Sequence, residues 1–178
     1  MDENVPVSAL GGKVSFLRSR AFETIVFGGL TVGLLDGLAA VINAGFRGVG
    51  AVRVFQFIAG GIVGSASYRG GAAAVLLGVF LHFAIAFFWT AVFYRASLSF
   101  PILIRQAVLC GVLYGVIVHI IMSGIVVPLS AAGKIPFSYK QFFIATAIHI
   151  LCVGLPIALI TRFTAKKSSC NRVVDLQR

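Results

Sequence analysis

Four stretches of this chain, roughly 22–44, 71–94, 105–129 and 141–163, are apolar over lengths that only a membrane requires. A hydrocarbon core about 30 Å thick is crossed by about 20 mostly apolar residues rising 1.5 Å each. Inside lipid the backbone has no water to bond, and a helix satisfies its N–H and C=O groups within one segment. The expectation is an all-α fold, a polytopic membrane four-helix bundle. Composition agrees, with 59% of the 178 residues hydrophobic and 11% charged, against about 25% charged in a soluble domain. A single domain, 1–178, holds the spans and their connections and leaves no room for a separate soluble unit. The first span is longer than the apolar region of a cleaved signal peptide and carries Asp36.

The formal charge of +10 does not point to nucleic acid, because the basic residues sit at span ends rather than in a stripe interleaved with aromatics. Of the 15 Lys and Arg residues, Arg47, Arg53, Arg69, Lys134 and Lys140 fall on the side opposite the termini and the others on the terminal side. That bias predicts both termini in the cytoplasm. Residues 164–178, rich in Lys, Ser and Arg, read as a basic tail that is mobile or lies on anionic headgroups. The connection 45–70 is apolar at 52–59 and runs into Gly60-Gly61-Ile62-Val63-Gly64, too short and Gly-rich to span. It predicts a short interfacial helix between the first and second spans; a helix packed over the bundle mouth is the alternative.

Each span carries one ionisable residue well inside it: Asp36, His82, His119 and His149, the last three being the only histidines of the chain. Such groups are costly in hydrocarbon and mark pathways, ligands or partners. Asp36 and His119 lie roughly 21 Å from the terminal side, and His82 and His149 roughly 16 and 12 Å from the opposite side, so the four share a layer. Gly29, Asp36 and Asn43 recur on one helical face. The G-x-x-x-G steps Gly29, Gly33 and Gly37 predict close helix approach, as do Gly111 and Gly115. These Gly-rich faces are also candidate surfaces for a homo- or hetero-oligomer. Met122 and Cys152, each three residues after a histidine, point partly toward the layer. Pro156 removes a bond to the Cys152 carbonyl and should kink the last helix. With Cys110 and Cys152 in spans and Cys170 in the tail, no extracytoplasmic disulfide is expected.

Several chemistries use such a layer. Two histidines could clamp a haem iron, with Met122 as an axial alternative. Three histidines and a carboxylate could hold a divalent metal. The same groups in a wet cavity could pass protons. In the bland alternative each histidine bonds a backbone carbonyl and holds helices in register. No metal-site spacing or nucleophile–base pair is legible, which argues against an enzyme.

The segments Gly28-Gly29-Leu30, Leu35-Asp36, Phe57-Ile58-Ala59-Gly60-Gly61, Leu77-Gly78 with His82-Phe83, Gly111 with Tyr114-Gly115, Val127-Pro128-Leu129-Ser130-Ala131 and Val153-Gly154-Leu155-Pro156 resemble a family of small four-span bacterial inner-membrane proteins of unknown function. The histidine spacing is similar, more distantly, to the YagU-like inner-membrane proteins. The resemblance covers about 25–163 and implies four helices and a bacterial inner membrane, but no activity. Two functions remain in view: a membrane protein whose Asp and His layer binds a ligand, metal or proton in a transport-like or redox role, and a non-catalytic membrane partner or assembly subunit in which those groups only fix packing.

Overall fold

The four expected spans are helical, at Arg20–Gly45, Gly71–Ser99, Ala107–Leu129 and Tyr139–Lys166, each long and apolar enough to cross a membrane. The structure, a computed structural model, describes residues 7–133 and 136–175, with side chains over 20–133 and 136–166. No strand occurs among the described residues. In chain order the helices are α1 (Val7–Gly45), α2 (Ala51–Val63), α3 (Gly71–Ser99), the short α4 (Ile102–Arg105), α5 (Ala107–Leu129) and α6 (139–175). Outward faces expose large apolar side chains, among them Phe27, Leu34, Phe80, Phe88, Leu113 and Phe143. In water such a surface would drive association, whereas lipid tails are as apolar as the side chains themselves. The chain is a multi-pass membrane protein.

Glycine sets the close approaches. Gly29 and Gly33 of α1 face the Phe87 and Phe83 rings of α3, and a Cβ on Gly37 would sit 3.0 Å from His82 Nε2. Between α5 and α6, a Cβ on Gly115 would lie 2.6 Å from Ile150 Cα, and one on Gly111 would lie 3.0 Å from the Gly154 carbonyl oxygen. These glycine faces are therefore filled within the chain. At the terminal end the Thr24 and Thr164 hydroxyls pair at 2.7 Å and join α1 to α6.

Among the spans the close backbone pairs are α1 with α3, α1 with α6, and α5 with α6, while the α3 and α5 backbones stay apart. Toward the terminal side Trp89, Phe93 and Tyr114 occupy that gap. The Tyr114 ring lies 4.9 Å from Phe93 and 6.1 Å from Trp89, both edge-on. Its hydroxyl donates to the Trp89 carbonyl at 2.7 Å. On the distal side, opposite the termini, α2 covers the gap. Gly48, at φ 76°, turns the chain after α1, and α2 presents buried Gln56, Ala59 and Gly60 to the bundle. Gly78 of α3 lies directly beneath the Phe55 backbone, with no space for a side chain. The Ala131 N–H donates to the Gly61 carbonyl at 3.0 Å, which ties the segment after α5 onto α2. A helix thus stands between the first two spans as expected, and its packing across the bundle mouth is the arrangement weighed as the alternative to an interfacial one.

Two spans change register at the polar layer. Residues Met122–Val126 in α5 and His149–Gly154 in α6 are π-helical. Each segment ends within two residues of a proline, Pro128 or Pro156, which has no N–H to continue the ordinary ladder. The disturbance expected at Pro156 takes the form of this π segment, which lets the backbone groups find partners one residue further on. Beyond the span α6 continues to Asp175, through a basic segment without Gly or Pro to stop it. Lys134 and residues 176–178 lie outside the described residues, as does the Cys170 side chain.

Candidate functional site

Between α3 and α5, beneath α2, lies a cavity of about 310 Å³ whose wall includes Asp36, His82, His119 and His149. One ionisable residue thus comes from each span, as their matched depths predict. Met122, Ser123 and Trp89 also line it, together with Phe57, Ile58 and Gly61 of α2 and Ser130 and Ala132 of the segment that follows α5. The rest of the wall is aliphatic, and it carries no Lys or Arg.

The four groups differ in how they are held. His82, 9% exposed, donates Nε2–H to the Gly33 carbonyl of α1 at 2.9 Å. It is flanked edge-on by Phe55 and Phe83, at 6.3 and 5.8 Å. Its proton is committed to joining α1 and α3, the register role that polar groups take in membrane bundles. His149 donates Nδ1–H to the Ala145 carbonyl one turn back, at 2.9 Å, so its Nε2 is the free acceptor of the neutral ring. His119 is 5% exposed and packs between the Phe142 and His149 rings, both with centroids at 4.9 Å. Its Nε2 is buried without a hydrogen-bond partner, and so is Trp89 Nε1. Asp36 makes no hydrogen bond or ion pair with another described residue, although it lies within electrostatic range of Cys152.

The arrangement corrects several finer expectations. Asn43 stands seven residues beyond Asp36, about 10 Å further along the helix. There its amide donates to Gln141 Oε1 at 3.3 Å and holds α1 to α6 at the distal end, away from the layer. Cys152 does not reach the cavity wall, whereas Met122 does. Among the described residues no three of His, Cys, Asp or Glu come together as a group able to hold a metal ion. The reason is visible in His82, turned to Gly33, and in His149, turned to its own helix. His119 and His149 do not suit a haem either. Axial imidazoles stand off the iron by roughly 2 Å on each side plus their ring radii, more than the 4.9 Å between these centroids.

Sequence reasoning weighed α2 over the bundle mouth only as an alternative, and did not foresee Ser130 and Ala132 in the wall or the two π segments. Pro128 and Pro156, each shortly after a layer histidine, were the available signal for the second. Ser123, one turn from His119, has its hydroxyl engaged by the His119 carbonyl at 2.7 Å and shapes the wall without offering a free donor. Compared with protein-family models, with curated proteins and with solved structures, the chain matches none.

Proposed function

We propose that this chain is a small multi-pass inner-membrane protein that binds a ligand in the cavity between α3 and α5, in a transport-like role. The observation that carries the reading is that Asp36 and two residues with unpartnered buried nitrogens, His119 at Nε2 and Trp89 at Nε1, belong to the wall of one cavity at membrane depth. A buried polar atom without a partner costs about 1–3 kcal/mol, and an intramembrane carboxylate costs more. Such groups are retained where a ligand meets them. The excess of basic residues on the terminal side supports cytoplasmic termini, and the resemblance noted above supports a bacterial inner membrane. Binding without covalent chemistry fits better than an enzyme, since the one wall hydroxyl whose bond lies beside a histidine, Ser123, donates to a backbone carbonyl.

One observation favours the rival role of a packing or assembly subunit, and it concerns a single residue. His82 joins two helices through Gly33 and needs no ligand. The reading therefore divides the layer, with His82 structural and Asp36, His119 and Trp89 facing the ligand.

Detergent-purified wild type and Asp36→Asn, compared for colour, metal content and small molecules released on denaturation, test the proposal. The wild type should release a small molecule that falls by about tenfold or more in the variant, at equal yield of folded protein. A large loss of folded protein with no change in what the remainder carries would favour the packing role.

A further inference from the structure

The cavity's chemistry narrows its ligand, and this step rests on the binding role proposed above. We propose that the cavity accepts an organic monocation of about a dozen non-hydrogen atoms that also carries one hydrogen-bond acceptor. The charge would sit against Asp36 and the acceptor would take the Trp89 indole N–H.

Size comes from volume. An apolar cavity of about 150 Å³ accommodates benzene, so 310 Å³ has room for roughly twice as many atoms. Sign comes from the wall. Asp36 is its only carboxylate, no Lys or Arg shares the cavity, and no described residue pairs with Asp36 through a hydrogen bond or ion pair. An anion would meet that carboxylate without a fixed counter-charge, and a neutral ligand would leave its cost unrelieved. A cation relieves it, and where it meets the ring faces of the wall residues Trp89 and Phe57 it gains cation–π attraction of about 0.5–2 kcal/mol. The acceptor follows from the indole of the wall residue Trp89, whose nitrogen can only donate and is enclosed without a partner, so that a small turn of the ring presents it to the ligand. His119 Nε2, also unpartnered, can donate or accept according to tautomer and so adapts to either end of the ligand. The remaining wall is aliphatic, which favours an apolar body over a polyol or a zwitterion.

Three probes of similar size separate these features: acetylcholine, with charge and acceptor; 3,3-dimethylbutyl acetate, its neutral isostere; and hexyltrimethylammonium, with charge and no acceptor. Binding to the full chain in detergent is measured by calorimetry and by the fluorescence of Trp89, the only tryptophan. Acetylcholine should bind at least about tenfold more tightly than the neutral ester, and Asp36→Asn should erase that preference. Trp89→Phe keeps an aromatic face and removes the donor. Measured by calorimetry, it should weaken acetylcholine severalfold more than hexyltrimethylammonium, which loses only the difference between the two ring faces, a readout that survives if Asp36→Asn fails to fold. Equal binding of acetylcholine and the neutral ester to the wild type would overturn the cation assignment while leaving a ligand cavity in place. Binding of no probe, together with no small molecule released from the purified wild type, would overturn the cavity reading as well.

Discussion

Replacing Gly115 with leucine should abolish folded protein. At this position α5 meets α6 backbone to backbone: a Cβ would stand 2.6 Å from Ile150 Cα and 2.7 Å from the His149 carbonyl oxygen. Overpacking a core usually costs about 1–3 kcal/mol because neighbouring side chains can shift. Here the obstacles are main-chain atoms of a π segment, so the cost should exceed about 3 kcal/mol. Gly124→Ala is the control, since a Cβ there meets nothing within 4 Å, and it should change stability by less than about 0.5 kcal/mol. The yield of monodisperse protein and the unfolding midpoint in denaturing detergent read both variants. Near-normal stability of Gly115→Leu would mean that α5 and α6 do not pack as described. The consequence reaches the site, because the same contact sets His149 against His119.

The second large effect separates two histidines that look alike in the sequence. His82→Leu removes a buried hydrogen bond to Gly33 and places a branched side chain against Gly37, where a Cβ would already stand only 3.0 Å from the present ring nitrogen. The expected loss is about 2 kcal/mol, from the bond and the poorer fit together. His119→Leu breaks no side-chain hydrogen bond and removes a buried nitrogen that has no partner. Stability should stay level or rise by up to about 1 kcal/mol, while binding in the cavity weakens. Equilibrium unfolding of the two variants alongside wild type measures the contrast. Equal destabilisation would place both histidines in the packing role.

The spans and the polar layer were legible because they depend on length, hydropathy and helical periodicity, all local properties. Asp36, His82, His119 and His149 line one cavity as their depths implied. Which helices touch was not legible. Gly29, Gly33 and Gly37 announce a close neighbour without naming α3, and nothing in the spacing shows that α3 and α5 stand apart and leave a cavity between them. A metal set could be imagined from four co-layered groups, because depth says nothing about where each ring points. His82 turns to a carbonyl of α1 and His149 to its own helix, choices made by backbone geometry. Asn43 shared a face with Asp36 but not its depth, so it found Gln141 instead. Pro156 signalled a missing bond, yet nothing in the spacing shows that the chain responds with a π segment beginning at His149 and packed against Gly115.

Three histidines and one tryptophan in the whole chain make nitrogen NMR of the imidazole and indole rings, with and without acetylcholine, the most direct test of a ligand cavity at the polar layer. The free protein should show His82 protonated on Nε2 and His149 on Nδ1, as their carbonyl bonds require. Added acetylcholine should shift the Trp89 indole N–H and the His119 ring and leave His82 where it was, with both shifts lost in Asp36→Asn. Saturating acetylcholine that moves neither Trp89 nor His119, or that moves His82 as much as either, would contradict the account.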